Sequence, residues 1–270
     1  MKRACSQNTI TDENLSASSI QPYPTNYLRM KPILFSFIFL FSMVFNGLGQ
    51  SSLSHDEFQT SKGKLTVYFL GHGTLMFDFG GKIVHVDPWS KLADYSTLPK
   101  ADLILVTHEH GDHLDSAAIR KIQKQNTQLI ENGAIYDILK KGLVMKNGDT
   151  KTIDGIGIEA IPAYNTTTGR EKFHPKGRDN GFVLTFGNKR VYVAGDTEDI
   201  PEMEQLKNID IAFLPMNQPY TMLPEQVAKA ALSFKPKILY PYHYGETDVT
   251  KLKGLIPENS GIEVRIRALK

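Results

Sequence analysis

The stretch "THEHGDHLD", residues 107–115, sets His108, His110 and His113 at i, i+2 and i+5, with Asp112 just before the third histidine. On an α-helix His108 and His110 would point to nearly opposite sides, so the rings converge only if this stretch is a loop. The apolar run "ADLILVT" (101–107) ahead of it reads as a strand whose end would carry such a loop on a rigid support. Gly111 lets the chain turn sharply between the polar groups. Neutral imidazoles with a carboxylate form a donor set for zinc, and for iron or manganese as well. A solvated histidine-rich loop is the plainer alternative, and this order of residues behind an apolar strand argues against it.

Outward from this stretch, short β-type runs alternate with helical ones. "KLTVYFLG" (64–71), "TLMFDF" (74–79) and "KIVHVD" (82–87) precede it. "DSAAIRKIQKQN" (115–126) follows as a helix with Asp115 as N-cap, and "AIYDILKKG" (134–142) as a second helix closed by Gly142. After the strand "GIGIEAIPAY" (155–164) comes an irregular polar segment, 165–180. The β runs resume with "GFVLTF" (181–186), "KRVYVAG" (189–195) and "IDIAFLP" (209–215). The helix "LPEQVAKAALSF" (223–234), the strand "KILYPY" (237–242), a short helix near "DVTKLKGLI" (248–256) and the strand "IEVRIRA" (262–268) complete the chain.

Part of this pattern repeats. "FGGKIVHV" (79–86) resembles "FGNKRVYV" (186–193), and both contain good two-residue hairpin turns, Gly80-Gly81 and Gly187-Asn188. Each second strand runs on to an aspartate, Asp87 or Asp196. "ADLILVTHEH" likewise resembles "IDIAFLPMNQ". Two β-rich halves of similar design, packed together with helices outside, are the expected architecture.

The first 50 residues read as separate from this domain. Residues 33–45, "ILFSFIFLFSMVF", are almost wholly apolar; Arg29 and Lys31 precede them and a small-x-small pattern, Gly47-Leu48-Gly49, follows. That order describes a secretory signal peptide, with Met30 as its start, and the run is shorter than the roughly 20 residues a membrane span needs. A periplasmic or secreted domain, 51–270, with no membrane span is therefore expected. Four of the 31 basic and two of the 29 acidic residues lie in 1–50, so the remainder carries 27 of each. A neutral domain lacks the basic footprint of a nucleic-acid binder. The single cysteine, Cys5, falls in the leader, so no disulfide, thiolate nucleophile or cysteine ligand is expected in the domain.

"HEHGDH" together with Asp87 in "HVDP", Asp196 in "YVAGDT" and His243 in "YPYHYG" resembles the metallo-β-lactamase-fold superfamily of metal-dependent hydrolases, in motif order and over about residues 64–245. The resemblance implies an α+β fold, a four-layer αβ/βα sandwich with internal pseudo-two-fold duplication, and an active site at one edge of it. It implies two divalent metal ions, zinc foremost and manganese or iron as alternatives. His108 and His110 would hold the first; Asp112, His113 and His243 would hold the second; Asp196 would bridge them. Asp87 would be structural. One ligand departs from the pattern: many relatives carry a histidine where "IPAYN" has Asn165, and an amide oxygen is a poor substitute for imidazole on zinc. His174 in "FHPKG" is the expected replacement, with Asn165 behind it or facing substrate.

The same resemblance implies metal-assisted hydrolysis of a phosphoester, lactone or amide in a small-molecule substrate, with a bridging hydroxide as nucleophile oriented by Asp112. His72 in "LGHGT", Tyr244 and Tyr220 are the candidates for a leaving-group acid. The context looks closest to lactonase-like and N-acylphosphatidylethanolamine phospholipase D-like branches. "PMNQPYTM" (215–222) is a candidate rim, His85 a strand histidine with a local partner, and His55 an exposed one. Two other readings stand beside hydrolysis: a mono-iron sulfur dioxygenase-like enzyme, which shares H-x-H-x-D-H, and a metal-binding module without turnover.

Overall fold

The computed structural model describes residues 53–270; the expected leader, with its apolar run and Cys5, lies outside the described residues. Two seven-stranded sheets carry the fold. The first contains β1 (His55–Thr60), β2 (Gly63–Gly71), β3 (Thr74–Phe79), β4 (Lys82–Val86), β5 (Leu103–Leu105), β6 (Gln128–Glu131) and β7 (Leu143–Val144). The second contains β8 (Thr150–Ile153), β9 (Ile156–Ala163), β10 (Asp179–Phe186), β11 (Lys189–Val193), β12 (Ile211–Pro215), β13 (Ile238–Tyr242) and β14 (Glu263–Val264). Strands neighbour each other in sequence order in both sheets.

The sheets also share a pairing scheme. In each, the first four strands join antiparallel, and the fourth passes to three parallel strands. The repeat seen in the sequence is the third-to-fourth-strand hairpin, with Phe79 opposite Lys82 and Phe186 opposite Lys189. Gly80 and Gly81 both take positive φ, as a type I′ turn requires, whereas in the second hairpin Gly187 alone does, which suits type II′.

Period-two alternation divides the side chains between layers. Leu103 and Leu105 point into the core between the sheets, with Phe77, Val84, Phe182 and Phe213. Ile104 and Val106 point outward, under Ala118, Ile119 and Ile122 of α1 (Ser116–Ile122) and Ile135 of α2 (Gly133–Leu139). In the second half Ile211 and Phe213 face the central core, while Ala212 and Leu214 meet Val227 and Ala231 of α3 (Pro224–Phe234). Each fully buried Leu, Ile or Phe contributes about 1.5–3 kcal/mol. These strands are apolar on both faces because both faces are covered. The expected αβ/βα sandwich is the observed one. No helix among the described residues is long and apolar enough to cross a membrane.

Several boundaries differ from expectation. Asp115 caps α1 as expected, accepting from the Ala117 and Ala118 amides, but the helix stops at Ile122 because Gln123 is extended. The second helix closes at Lys140 (φ 52), not at Gly142. The last strand shrinks to Glu263–Val264. The strands missed from sequence, β1, β6, β7 and β8, are short, and β8 has little apolar patterning to signal it.

Gly142 has another task. It packs against Glu131 at the end of β6, where an added Cβ would stand 2.7 Å from Oε1. The Glu131 carboxyl is buried, neither oxygen has a hydrogen-bond partner, and burial pushes it up to about 7, with only Lys141 opposing. From its ordinary 4.5 up to about 7, the folded protein therefore binds a proton that the unfolded chain has released. This contribution to stability is full below 4.5, falls through that window and is flat above it. Urea denaturation at pH 5 and pH 8 should show wild type losing up to about 3 kcal/mol that Glu131→Gln does not lose. Equal pH dependence in the two proteins would show that Glu131 stays ionised.

Candidate metal centre

The site grows from the ends of strands in both sheets. Asp87, just past β4, is fully buried with φ 47. Its carboxylate accepts from the Thr107 amide (2.8 Å), the Thr107 hydroxyl (2.7 Å) and the His113 ring (2.8 Å). Those three bonds tie both ends of the loop after β5 to one buried group. Close approach is enforced elsewhere too: an added Cβ on Gly73 would stand 2.7 Å from the His113 ring.

The loop brings its histidines towards residues from the other sheet. His108, His110 and His174 form one group, and Asp112, His113 and His243 with His72 another; within each, one ligand atom per residue lies within 4.8 Å of the rest. Asp196 stands between the groups. Its carboxylate lies 3.5 Å from His174 Nε2, 3.4 Å from His243 Nε2, 3.5 Å from His113 Nε2 and 3.9 Å from His108 Nε2. Asp112 Oδ2 lies 3.6 Å from His243 Nε2.

These separations can be tested against a bound ion. Four ligands at about 2.1 Å around a tetrahedral metal stand about 3.4 Å apart, close to the distances found here. The Nε2 atoms of His113, His174 and His243 and Oδ1 of Asp196 are buried without a hydrogen-bond partner. Orphaned polar atoms of this kind are costly unless something binds them. The residues present fit a metal.

Neighbours fix the rings. Thr107 Oγ1 lies 2.9 Å from His108 Nδ1. Asp179, nearly fully buried at the start of β10, lies 3.3 Å from His174 Nδ1. Arg178 donates to both Asp179 oxygens (2.6 and 2.9 Å) and reaches Glu109 at 2.8 Å. A carboxylate behind a histidine fixes its tautomer and aims its other nitrogen, the arrangement that backs metal-bound histidines. Farther back, Glu198 accepts the Thr166 and Thr167 amides and so holds the start of the segment 165–180.

Charge follows from crowding. Burial, reinforced by neighbouring His113, His174 and His110, pushes His108 far below the usual imidazole range. For His113 burial acts the same way, but Asp196, Asp87 and Asp112 outweigh it and lift the ring to about 9. Burial raises Asp112 and Asp196, yet the surrounding histidines hold both carboxyls below their ordinary value. Both aspartates are anionic and able to face cations.

Of the residues named from sequence, Tyr244 stands aside. Its hydroxyl donates to the Arg267 carbonyl at 2.9 Å, which removes it as a leaving-group acid. His72 lies beside Asp112, with Nε2 3.0 Å from Oδ2 and its ring 3.7 Å from that of His243. His85 is buried with the Pro99 carbonyl at 3.1 Å as its local partner, and His55 is exposed on β1. Asn165 spends its amide on the carbonyls of Tyr220 (2.7 Å) and Arg170 (3.3 Å). Asn217 and Tyr220, in the candidate rim 215–222, do line the cavity over the cluster, whereas sequence reading missed Gly73, Asp179 and Glu198. Only the third-strand position of Asp179, directly before "NGFVLTF", offered a signal.

A cavity of about 320 Å³ opens over the cluster, walled by His110, Asp112, His174, Asp196 and His243 and rimmed by Phe173, Asn217 and Tyr220. The profile of the beta-lactamase superfamily domain matches residues 66–243, spanning the whole cluster. The chain belongs to the metallo-β-lactamase superfamily of metal-dependent hydrolases. It is 32% identical over 196 residues to a UPF0173 metal-dependent hydrolase of Nanoarchaeum equitans, covering 69% of this chain and 87% of that one. A UPF0173 metal-dependent hydrolase of Pelotomaculum thermopropionicum is 31% identical over 224 residues, 75% and 96% of the two chains. Among solved structures, one of a Parabacteroides distasonis protein described as a metal-dependent hydrolase is 57% identical, with TM-score 0.79 over 81% of this chain and all of that one. A metallo hydrolase from Ignicoccus hospitalis is 26% identical, with TM-score 0.65 over 76% and 95%.

If Asp179 aims His174 in this hydrolase, Asp179→Asn weakens metal retention by about 10–100-fold. Competition with a chromogenic chelator measures it; unchanged retention would show that His174 holds no metal.

Proposed function

We propose that this chain is a dinuclear zinc hydrolase, with manganese or iron as alternative metals. His108, His110 and His174 would hold one ion, and Asp112, His113 and His243 the other, with Asp196 shared. The observation that carries this reading is the pair of ligand groups facing each other across one buried carboxylate, with unpartnered ligand atoms on both sides. A mono-iron oxygenase would leave one of these groups without a task. When bound there, divalent cations supply a hydroxide nucleophile near neutral pH and polarise the oxygen of the bond to be cleaved.

The chain's own groups do the rest. Asp112, drawn far down by His243 and His72, stays anionic and can take a hydrogen bond from the attacking water. His72 acts through Asp112, fixing Oδ2 at 3.0 Å and packing at a tilt against the His243 ring. Phe173 and Tyr220 narrow the entrance. A phosphoester, lactone or amide of a small molecule is the substrate class. Export to the periplasm or medium belongs to the same reading, on the strength of the basic, apolar and small-residue order in 29–50.

Metal analysis of purified residues 51–270 tests the proposal. Wild type should carry two metals per chain and His174→Ala about one. Two in both proteins would return the ligand to Asn165 or another group; one or none in wild type would overturn the dinuclear reading.

A further inference from the structure

Three features of the cavity mouth bear on what enters it. The first is Asn217. Its backbone is fully engaged: the amide donates to Thr221 Oγ1 (2.7 Å), and the carbonyl accepts from the Tyr220 and Thr221 amides (3.0 and 2.8 Å). Among the described residues no group hydrogen-bonds its side-chain carboxamide, although that group lines the cavity beside the metal-site residues. It lies against Gly245, where an added Cβ would be 2.9 Å from Oδ1, and Gly245 takes φ +48 two residues after His243. The backbone is fixed, and the free amide faces the reaction space.

The second is an aromatic pair. Phe173 and Tyr220 meet edge to face, ring centroids 5.0 Å apart, and Tyr220 is 45% exposed. Its backbone is tied down, because Asn165 donates to the Tyr220 carbonyl and links this loop to the segment carrying Phe173 and His174, and its ring rests against Phe173. An exposed aromatic fixed at the mouth of a polar cavity offers an apolar surface to a ligand.

The third is charge. Among the described residues, neither lysine nor arginine lines the cavity. Arg178 is committed to Asp179 and Glu109, Arg170 faces Glu198 at 3.4 Å, and exposed Lys172 lies over the Phe173 ring. Sites that clamp phosphoryl oxygens add arginine or lysine to the metals; here the added groups are a neutral amide and two rings.

We propose that the substrate is an uncharged acyl compound, an ester or lactone with an apolar substituent on the acyl side. Asn217 meets the carbonyl oxygen, and Phe173 with Tyr220 covers the substituent. This rests on the hydrolase reading above and narrows it. Hydrolysis adds the oxygen of water to the acyl carbon and breaks the acyl C–O bond; one proton of water goes to the leaving oxygen and the other to solvent.

The test uses the zinc-loaded protein with 4-nitrophenyl hexanoate, 4-nitrophenyl acetate and bis(4-nitrophenyl) phosphate, which share one leaving group. The hexanoate should exceed the acetate about tenfold in kcat/KM, and the phosphodiester should be the poorest of the three by about a hundredfold. Tyr220→Ala and Phe173→Leu should each bring the hexanoate-to-acetate ratio to within about threefold of one. Asn217→Ala should lower kcat on both esters about a hundredfold, the loss expected on removing one donor to a developing oxyanion. A preference for the phosphodiester, or a chain-length ratio that the rim variants leave unchanged, overturns the inference and leaves the hydrolase reading intact. No cleavage of either ester by protein carrying its full metal complement also overturns the inference, while the metal count above tests the hydrolase reading separately.

Discussion

Asp87 gathers both ends of the loop that carries the histidines onto one buried carboxylate. Its oxygens take the amide and hydroxyl of Thr107 at one end of the "HEHGDH" loop and the ring of His113 at the other. A buried carboxylate is expensive unless each lone pair is used, and here three donors use it. The same bonds leave His113 with only Nε2 to offer, so the tautomer and direction of the ring follow from Asp87. The second half solves the same problem with Asp179 behind His174, itself clamped by Arg178. In each half a buried carboxylate turns an imidazole into a one-sided donor, and those donors meet at Asp196.

The duplicated fold is what makes this meeting possible. In each sheet an antiparallel hairpin is followed by parallel strands whose ends come to one edge. The loops at that edge have diverged in use. After β5 the loop carries four polar groups of the metal cluster, while the equivalent loop after β12 carries none and supplies Asn217 and Tyr220 at the rim. The two loops are equivalent in the pairing scheme; the first supplies the histidine and aspartate cluster and the second lines the cavity beside it.

Much of this could be read in the chain. The i, i+2, i+5 spacing cannot converge on a helix, and the apolar alternation before it demanded a strand, so the loop and its support followed from local geometry. Asp196 was visible at the end of a repeated strand, whereas His243 was singled out only by the resemblance to the superfamily. What stayed hidden depended on contacts between distant segments. Nothing near Glu131 announces that Gly142 will seal its carboxyl from solvent. The hydroxyl of Tyr244 is claimed by Arg267, 23 residues away. Asn217 looks like an ordinary turn residue until Gly245 is found to make room for it.

That His174, and not residue 165, brings an imidazole to the cluster has a structural consequence. A histidine at 165 would sit at the rigid end of β9; His174 instead belongs to an irregular segment that must be held by other means. Glu198 holds its start through the Thr166 and Thr167 amides, and Asp179 with Arg178 holds its end. Asn165 donates across to the Tyr220 carbonyl. The segment that delivers His174 to the cluster is thus the same body that sets Phe173 against Tyr220 at the mouth.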